Sequence, residues 1–169
     1  LGVISAFNDS TLELMQSKMN DRDALLDIIS ETYWNVDAYL KENGRDNISA
    51  LMIAGGWVEG LYIATQVSAA NDSPELRQRI AEQKLSLNDL INLLDSYEME
   101  DARLTGVKED MKALKALFAE VADPTSGAAV TEENGVTVIG GGGTAATLTD
   151  DQLKALREKT AAIRNTYIN

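Results

Sequence analysis

Apolar residues recur every three or four positions along most of this chain, and the runs break where capping and turn residues gather. Leu25, Ile29, Tyr33, Val36 and Leu40 fall on one face of a helix over residues 21–43, with Gly44 as the residue that stops it. A shorter helical stretch over 11–19 precedes it, with Asn8 or Ser10 as its cap. A second long helix opens at Asp46 or Asn47 and runs to about residue 70; between Ile48 and Val67 its only charge is Glu59. A helix apolar nearly all round is either a membrane span or the centre of a bundle. Gly55, Gly56, Gly60, Ser49, Thr65 and Gln66 dilute the run, and Arg45 is its one close flanking cation, which favours the bundle centre.

Asn71 to Glu75 is the clearest boundary, because Ser73 is a good N-cap and Pro74 at the first helical position needs no N–H there. The third helix carries Leu76 and Ile80 and keeps its phase through Leu87, Ile91, Leu94 and Tyr97, with Ser86 to Asp89 as a candidate break. A helix over 105–122 follows, with Val107, Met111, Leu114, Phe118 and Val121 on one face, and it stops before Pro124. Residues 127–143 then hold six of the twelve glycines. Two β-branched runs, 128–131 and 136–139, flank Asn134-Gly135, the dipeptide that most favours a two-residue hairpin turn. Thr149 and Gln152 fit a capping box, and Leu153, Leu156, Ile163 and Tyr167 give the last helix a stripe to dock. The helix-glycine-helix layout of 23–70 has a weak echo in 89–122. The pattern predicts an all-α fold in a single domain over 1–169. It is a bundle of five or six helices around the central apolar 47–70 helix, with a small β-hairpin or Gly-rich insertion over 124–147 before the last helix.

Composition changes this picture mainly by exclusion. The 169 residues include 15 Lys+Arg against 27 Asp+Glu, with no His and no Cys. Without imidazole or thiol, the chain has no Ser-His-Asp or Cys-His catalysis, no usual zinc, haem or iron–sulfur ligation and no disulfide. The acidic excess lies in residues 1–125, and no segment is basic, so nucleic acid and anionic membrane surfaces are poor partners. The carboxylate clusters at Asp21-Arg22-Asp23 and between Asp95 and Asp101 lack the spacing of a calcium hand, and Gly140 to Gly143 is followed by no phosphate-loop Lys. No metal, cofactor or catalytic residue is assigned.

Gly55-Gly56-Trp57-Val58-Glu59-Gly60 is the most unusual string. Each glycine inside a helix costs about 1 kcal/mol relative to alanine, so something compensates. The preferred reading is close packing, with Gly56 and Gly60 one turn apart letting a neighbouring helix approach. The other reading is a cavity beside Glu59, lined by Trp57 and Tyr62. Glu59, a lone carboxylate on an apolar helix, calls for a partner among Arg22, Arg45, Arg77, Arg79, Tyr33, Tyr39 and Tyr62. Tyr33, Trp34, Asp37 and Tyr39 gather aromatics and a carboxylate on the first long helix, as core residues with polar tips or as the wall of a ligand groove.

This string, together with an acidic helical chain that begins without Met, resembles uncharacterised bacterial cell-envelope proteins, some of them lipid-anchored. The resemblance implies an extracytoplasmic location, in the periplasm or cell envelope, with which a lipid anchor upstream of Leu1 is compatible; the alternative is the cytoplasm. The polar and glycine residues that dilute the 47–70 run argue for no transmembrane segment in the chain. The resemblance carries no residue roles. The function expected is therefore that of a non-enzymatic, exported binding or interaction protein, with a protein or small molecule as partner. The alternative is a small-molecule-binding or sensor domain with a pocket near Trp57, Glu59 and Tyr62, to which Tyr33 and Asp37 are added as ligand-binding candidates. A carboxylate-based enzyme, with Glu59 working beside Asp37 or Tyr62, is the third class.

Overall fold

The computed structural model describes residues 9–97, 101–122, 130–133, 136–139 and 146–169. Among them the fold is helical: α1 (Asp9–Ser17), α2 (Arg22–Glu42), α3 (Asp46–Ala70), α4 (Pro74–Asp95), α5 (Ala102–Phe118) and α6 (Asp150–Ile168). Two short strands, β1 (Val130–Glu133) and β2 (Val136–Ile139), pair antiparallel with Val130 opposite Ile139 and Glu133 opposite Val136. Asn134-Gly135 and Gly140 to Gly143, on which the turn and glycine-rich readings rest, lie outside the described residues, as do most of residues 124–147. The chain groups into two compact units, Leu1–Met52 and Ile53–Asn169. The first turns of α3 belong to one and the remainder to the other.

In the first unit, α1 packs on α2. The Asp21 side chain caps α2 by accepting from the Ala24 N–H at 3.1 Å. At the other end Gly44 takes φ 65°, and a Schellman pair closes the helix: the Gly44 N–H donates to Lys41 O at 3.0 Å and the Arg45 N–H to Leu40 O at 2.8 Å. The buried line of α2 is Thr32, Val36 and Leu40, spaced four apart. The predicted apolar stripe is thus only partly covered. Ile29 and Tyr33 are exposed, as are Trp34, at 74%, and Tyr39, which corrects the reading of these aromatics as core residues.

In the second unit α4 packs on α5 and α5 on α6. Ser73 caps α4 and Pro74 opens it, as the sequence predicts. The helix runs unbroken through Ser86 to Asp89, so the candidate break is not one. Asp101 caps α5, accepting from the Arg103 N–H at 2.9 Å; Gly106 falls inside this helix, and the helix-glycine-helix echo disappears. Leu94 of α4, Leu104, Met111, Leu114 and Phe118 of α5, and Leu156 of α6 are almost wholly excluded from solvent. Each such side chain contributes about 1.5–3 kcal/mol of burial. The capping box of α6 is complete, with Thr149 Oγ1 and the Gln152 side chain exchanging hydrogen bonds with one another's backbone N–H groups. Arg77 ties this region to α4: it holds Asp72 in a fork at 2.6 and 2.8 Å, pairs with Asp150 at 2.7 Å and donates to Leu148 O at 3.2 Å.

Helix α3 is not sheathed all round. Ala54, Val58, Leu61, Thr65 and Ser68 are buried, whereas Gly56, Gly60, Ile63 and Val67 form an exposed stripe at helical spacing. It is also the one helix among the described residues long and apolar enough to cross a membrane, with 33% of its most apolar window buried.

Candidate functional site

The three candidates on α3 separate onto two sides of the helix in the second unit. Glu59 and Tyr62, three residues apart, lie close together on the helix surface, and both meet α6. The Arg164 guanidinium grips the Glu59 carboxylate through Nε at 2.5 Å and Nη2 at 3.1 Å, and stands over the Tyr62 ring 4.5 Å from its centroid. The bond to the Glu59 carboxylate, helped by its charge, raises the Arg164 pKa above its usual value. Arg164 was not among the partners expected for Glu59; it comes from a helix 105 residues away, and a carboxylate and an aromatic ring one turn apart on α3 are the matching receptor for a guanidinium. Three residues further along α6, the Tyr167 hydroxyl donates to Asp110 Oδ2 at 3.2 Å; burial, and then the neighbouring Asp110 charge, raise its pKa.

Trp57 turns to the other side, toward α4. Its indole Nε1–H donates to Ser86 Oγ at 3.0 Å. The Ser86 hydroxyl is in turn 2.9 Å from Gln83 Oε1, and Gln83 Nε2 donates to Arg79 O at 3.2 Å. This relay fixes the plane of the indole and the amide of Gln83 before any ligand arrives. Beside them opens a cavity of about 270 Å³ lined by Trp57, Gly60, Leu61 and Ala64 of α3 and Arg79, Ile80 and Gln83 of α4. A Cβ at Gly60 would meet nothing within 4 Å, and the same holds at Gly55. Gly60 therefore leaves room rather than admitting a closely packed helix, which corrects the close-packing reading. The cavity includes Trp57 as predicted, but Glu59 and Tyr62 do not line it. Arg79, Ile80 and Gln83 were missed, although Arg79 and Gln83 stand one turn apart on the face of α4 that also carries Ser86.

The remaining two candidates belong to the first unit. Tyr33 is exposed on α2. Asp37 accepts hydrogen bonds from Lys41 Nζ at 2.8 Å and from the Ser49 hydroxyl, which is wholly buried. Burial pushes the Asp37 carboxyl up, but these two bonds and the Lys41 charge outweigh it and hold its pKa below the usual carboxylate value. Among the described residues no group of three or more acidic side chains is placed to hold a metal ion. Compared with family models, curated proteins and solved structures, the chain matches none of them.

Proposed function

We propose that this chain is a non-enzymatic binding protein and that the α3/α4 cavity is where it takes a small-molecule ligand. The observation that carries the reading is the wall of that cavity. An indole locked by the Trp57–Ser86–Gln83 relay faces open space that Gly60 and Ala64 keep clear, and preorganisation of this kind lowers the entropic cost of binding. The Glu59 carboxylate, engaged by two N–H groups of Arg164, is better suited to joining α3 to α6 than to proton transfer, which speaks for binding over catalysis. The test is calorimetry of the wild-type chain and of Gly60→Leu against a library of small apolar and amphiphilic molecules. A ligand of the cavity binds the first and not the second, and at 100 times its Kd it stabilises the fold by about 2.7 kcal/mol.

A second reading, in which a protein partner docks on the first unit, draws support from the exposed apolar side chains of α2, namely Leu26, Ile29, Tyr33 and Trp34. Substituting these four by Ser abolishes partner capture on this reading and leaves the cavity ligand bound. The strand pair β1–β2 supports a further proposal, that residues 124–147 form a ribbon inserted before α6. An extracytoplasmic location is part of the proposal as well, in keeping with the absence of Cys.

A further inference from the structure

The geometry points to a monocarboxylic acid with a flat apolar body as the ligand of the α3/α4 cavity, stacked on Trp57 with its carboxylate on Arg79. The inference rests on that cavity being the binding site. Size comes first. A cavity of about 150 Å³ accepts benzene, so the 270 Å³ here has room for about ten non-hydrogen atoms. The body must be apolar, because Leu61, Ala64 and Ile80 line the cavity and offer no hydrogen-bonding side chain. It should also be flat, because the Trp57 ring is held in one orientation by Ser86, and a planar body meets a fixed indole over the largest area.

The head group follows from charge. Among the described residues of the lining, Arg79 is the only charged one. It uses Nη1 to reach Glu82 Oε2 at 2.9 Å, which leaves the rest of its planar fork of donors for a second carboxylate. Glu82 is itself held by Gln78 Nε2 at 2.8 Å, so it stays on α4 and competes with a ligand for the same guanidinium. The chain's formal charge of −12 repels anions at long range, but at physiological salt that field is screened beyond about 8 Å, and the groups at the rim decide.

The experiment is titration calorimetry at physiological salt with phenylacetate, phenylacetamide and 2-phenylethylamine, three probes of similar size and shape that differ in head group. Phenylacetate is expected to bind about 10-fold tighter than the amide, the lower end for a charge-assisted contact because Arg79 is exposed. Arg79→Gln erases that preference while leaving amide binding in place. Glu82→Gln, which removes the competing carboxylate, tightens phenylacetate several-fold and leaves the amide unchanged. If the amide or the amine binds wild type as tightly as the acid, and Gly60→Leu abolishes that binding, the assigned head group is wrong and the cavity remains the site. If no probe binds wild type more tightly than Gly60→Leu, the assignment and the reading beneath it both fall.

Discussion

Gly60 and Gly55 stand in the interior of α3 and Gly106 in that of α5, and at all three an added Cβ would meet nothing within 4 Å. Alanine at such a site restricts the unfolded chain and brings no clash, so each replacement stabilises the fold by about 0.5–1 kcal/mol. For a domain of this size about 1 kcal/mol raises Tm by about 2–4 °C. Gly106 lies on a different helix from the other two, and combining all three is expected to give about 1.5–3 kcal/mol if the sites act independently. Gly44 supplies the control of opposite sign. Its surroundings are equally open, but its φ of 65° lies in the left-handed region, where a side chain costs about 1–2 kcal/mol. Urea unfolding followed by far-UV circular dichroism measures each difference, and an unchanged m-value confirms that stability alone has moved. A Gly60→Ala or Gly55→Ala protein that loses more than about 0.5 kcal/mol would refute the reasoning. It would mean that another group occupies that side of α3.

Asp37→Ala leaves the buried Ser49 hydroxyl without its acceptor and is expected to cost about 1–3 kcal/mol in a urea titration, with Asp37→Asn costing less because it keeps an oxygen there. Because the folded-state pKa of Asp37 is depressed, its contribution is full above the unfolded-state value of about 3.9 and is lost as the pH falls through the folded value. Wild type should therefore lose its advantage over Asp37→Asn in acid, below about pH 4, and an advantage that persists to pH 2 would contradict this account. Phe118→Ala, at a site fully excluded from solvent, should lower stability by about 3–5 kcal/mol. Thr149→Ala removes half of the α6 capping box and should cost about 1 kcal/mol. Arg77→Gln should speed amide hydrogen exchange at residues 150–153, where α6 starts, without speeding it at the centre of α5; uniform exchange along both helices would argue against a local clamp.

Three helix ends were readable in the sequence because each depends on a few adjacent residues, whereas the helix expected over 105–122 runs from Ala102 to Phe118 under an Asp101 cap. Ser73-Pro74, Thr149 with Gln152, and Gly44 each name a cap whose geometry is local, and the structure shows all three. Burial was harder to read. Periodicity tells which residues of α2 can be covered, not how far the covering extends, and the cover reaches Thr32, Val36 and Leu40 but stops short of Ile29 and Tyr33. The partner of Glu59 was out of reach for another reason. Nothing in the neighbourhood of residue 59 says which of the chain's cations a helix 105 residues away will bring. The cavity was half legible: Trp57 and Gly60 marked one wall, whereas Arg79, Ile80 and Gln83 entered only when α4 was laid beside α3.

The two tryptophans fall one in each compact unit, Trp34 largely exposed on α2 and Trp57 half-buried with its indole N–H bonded to Ser86. That distribution gives each unit its own optical reporter. In the folded chain Trp34 should emit near the wavelength of indole in water and Trp57 to the blue of it. Trp34→Phe leaves an emission whose red shift follows the second unit alone, whereas Trp57→Phe leaves the exposed Trp34, whose wavelength barely moves on unfolding and whose anisotropy is the signal that follows the first unit. The two single-tryptophan proteins would show directly whether the units melt together or in sequence, without any label added to the chain.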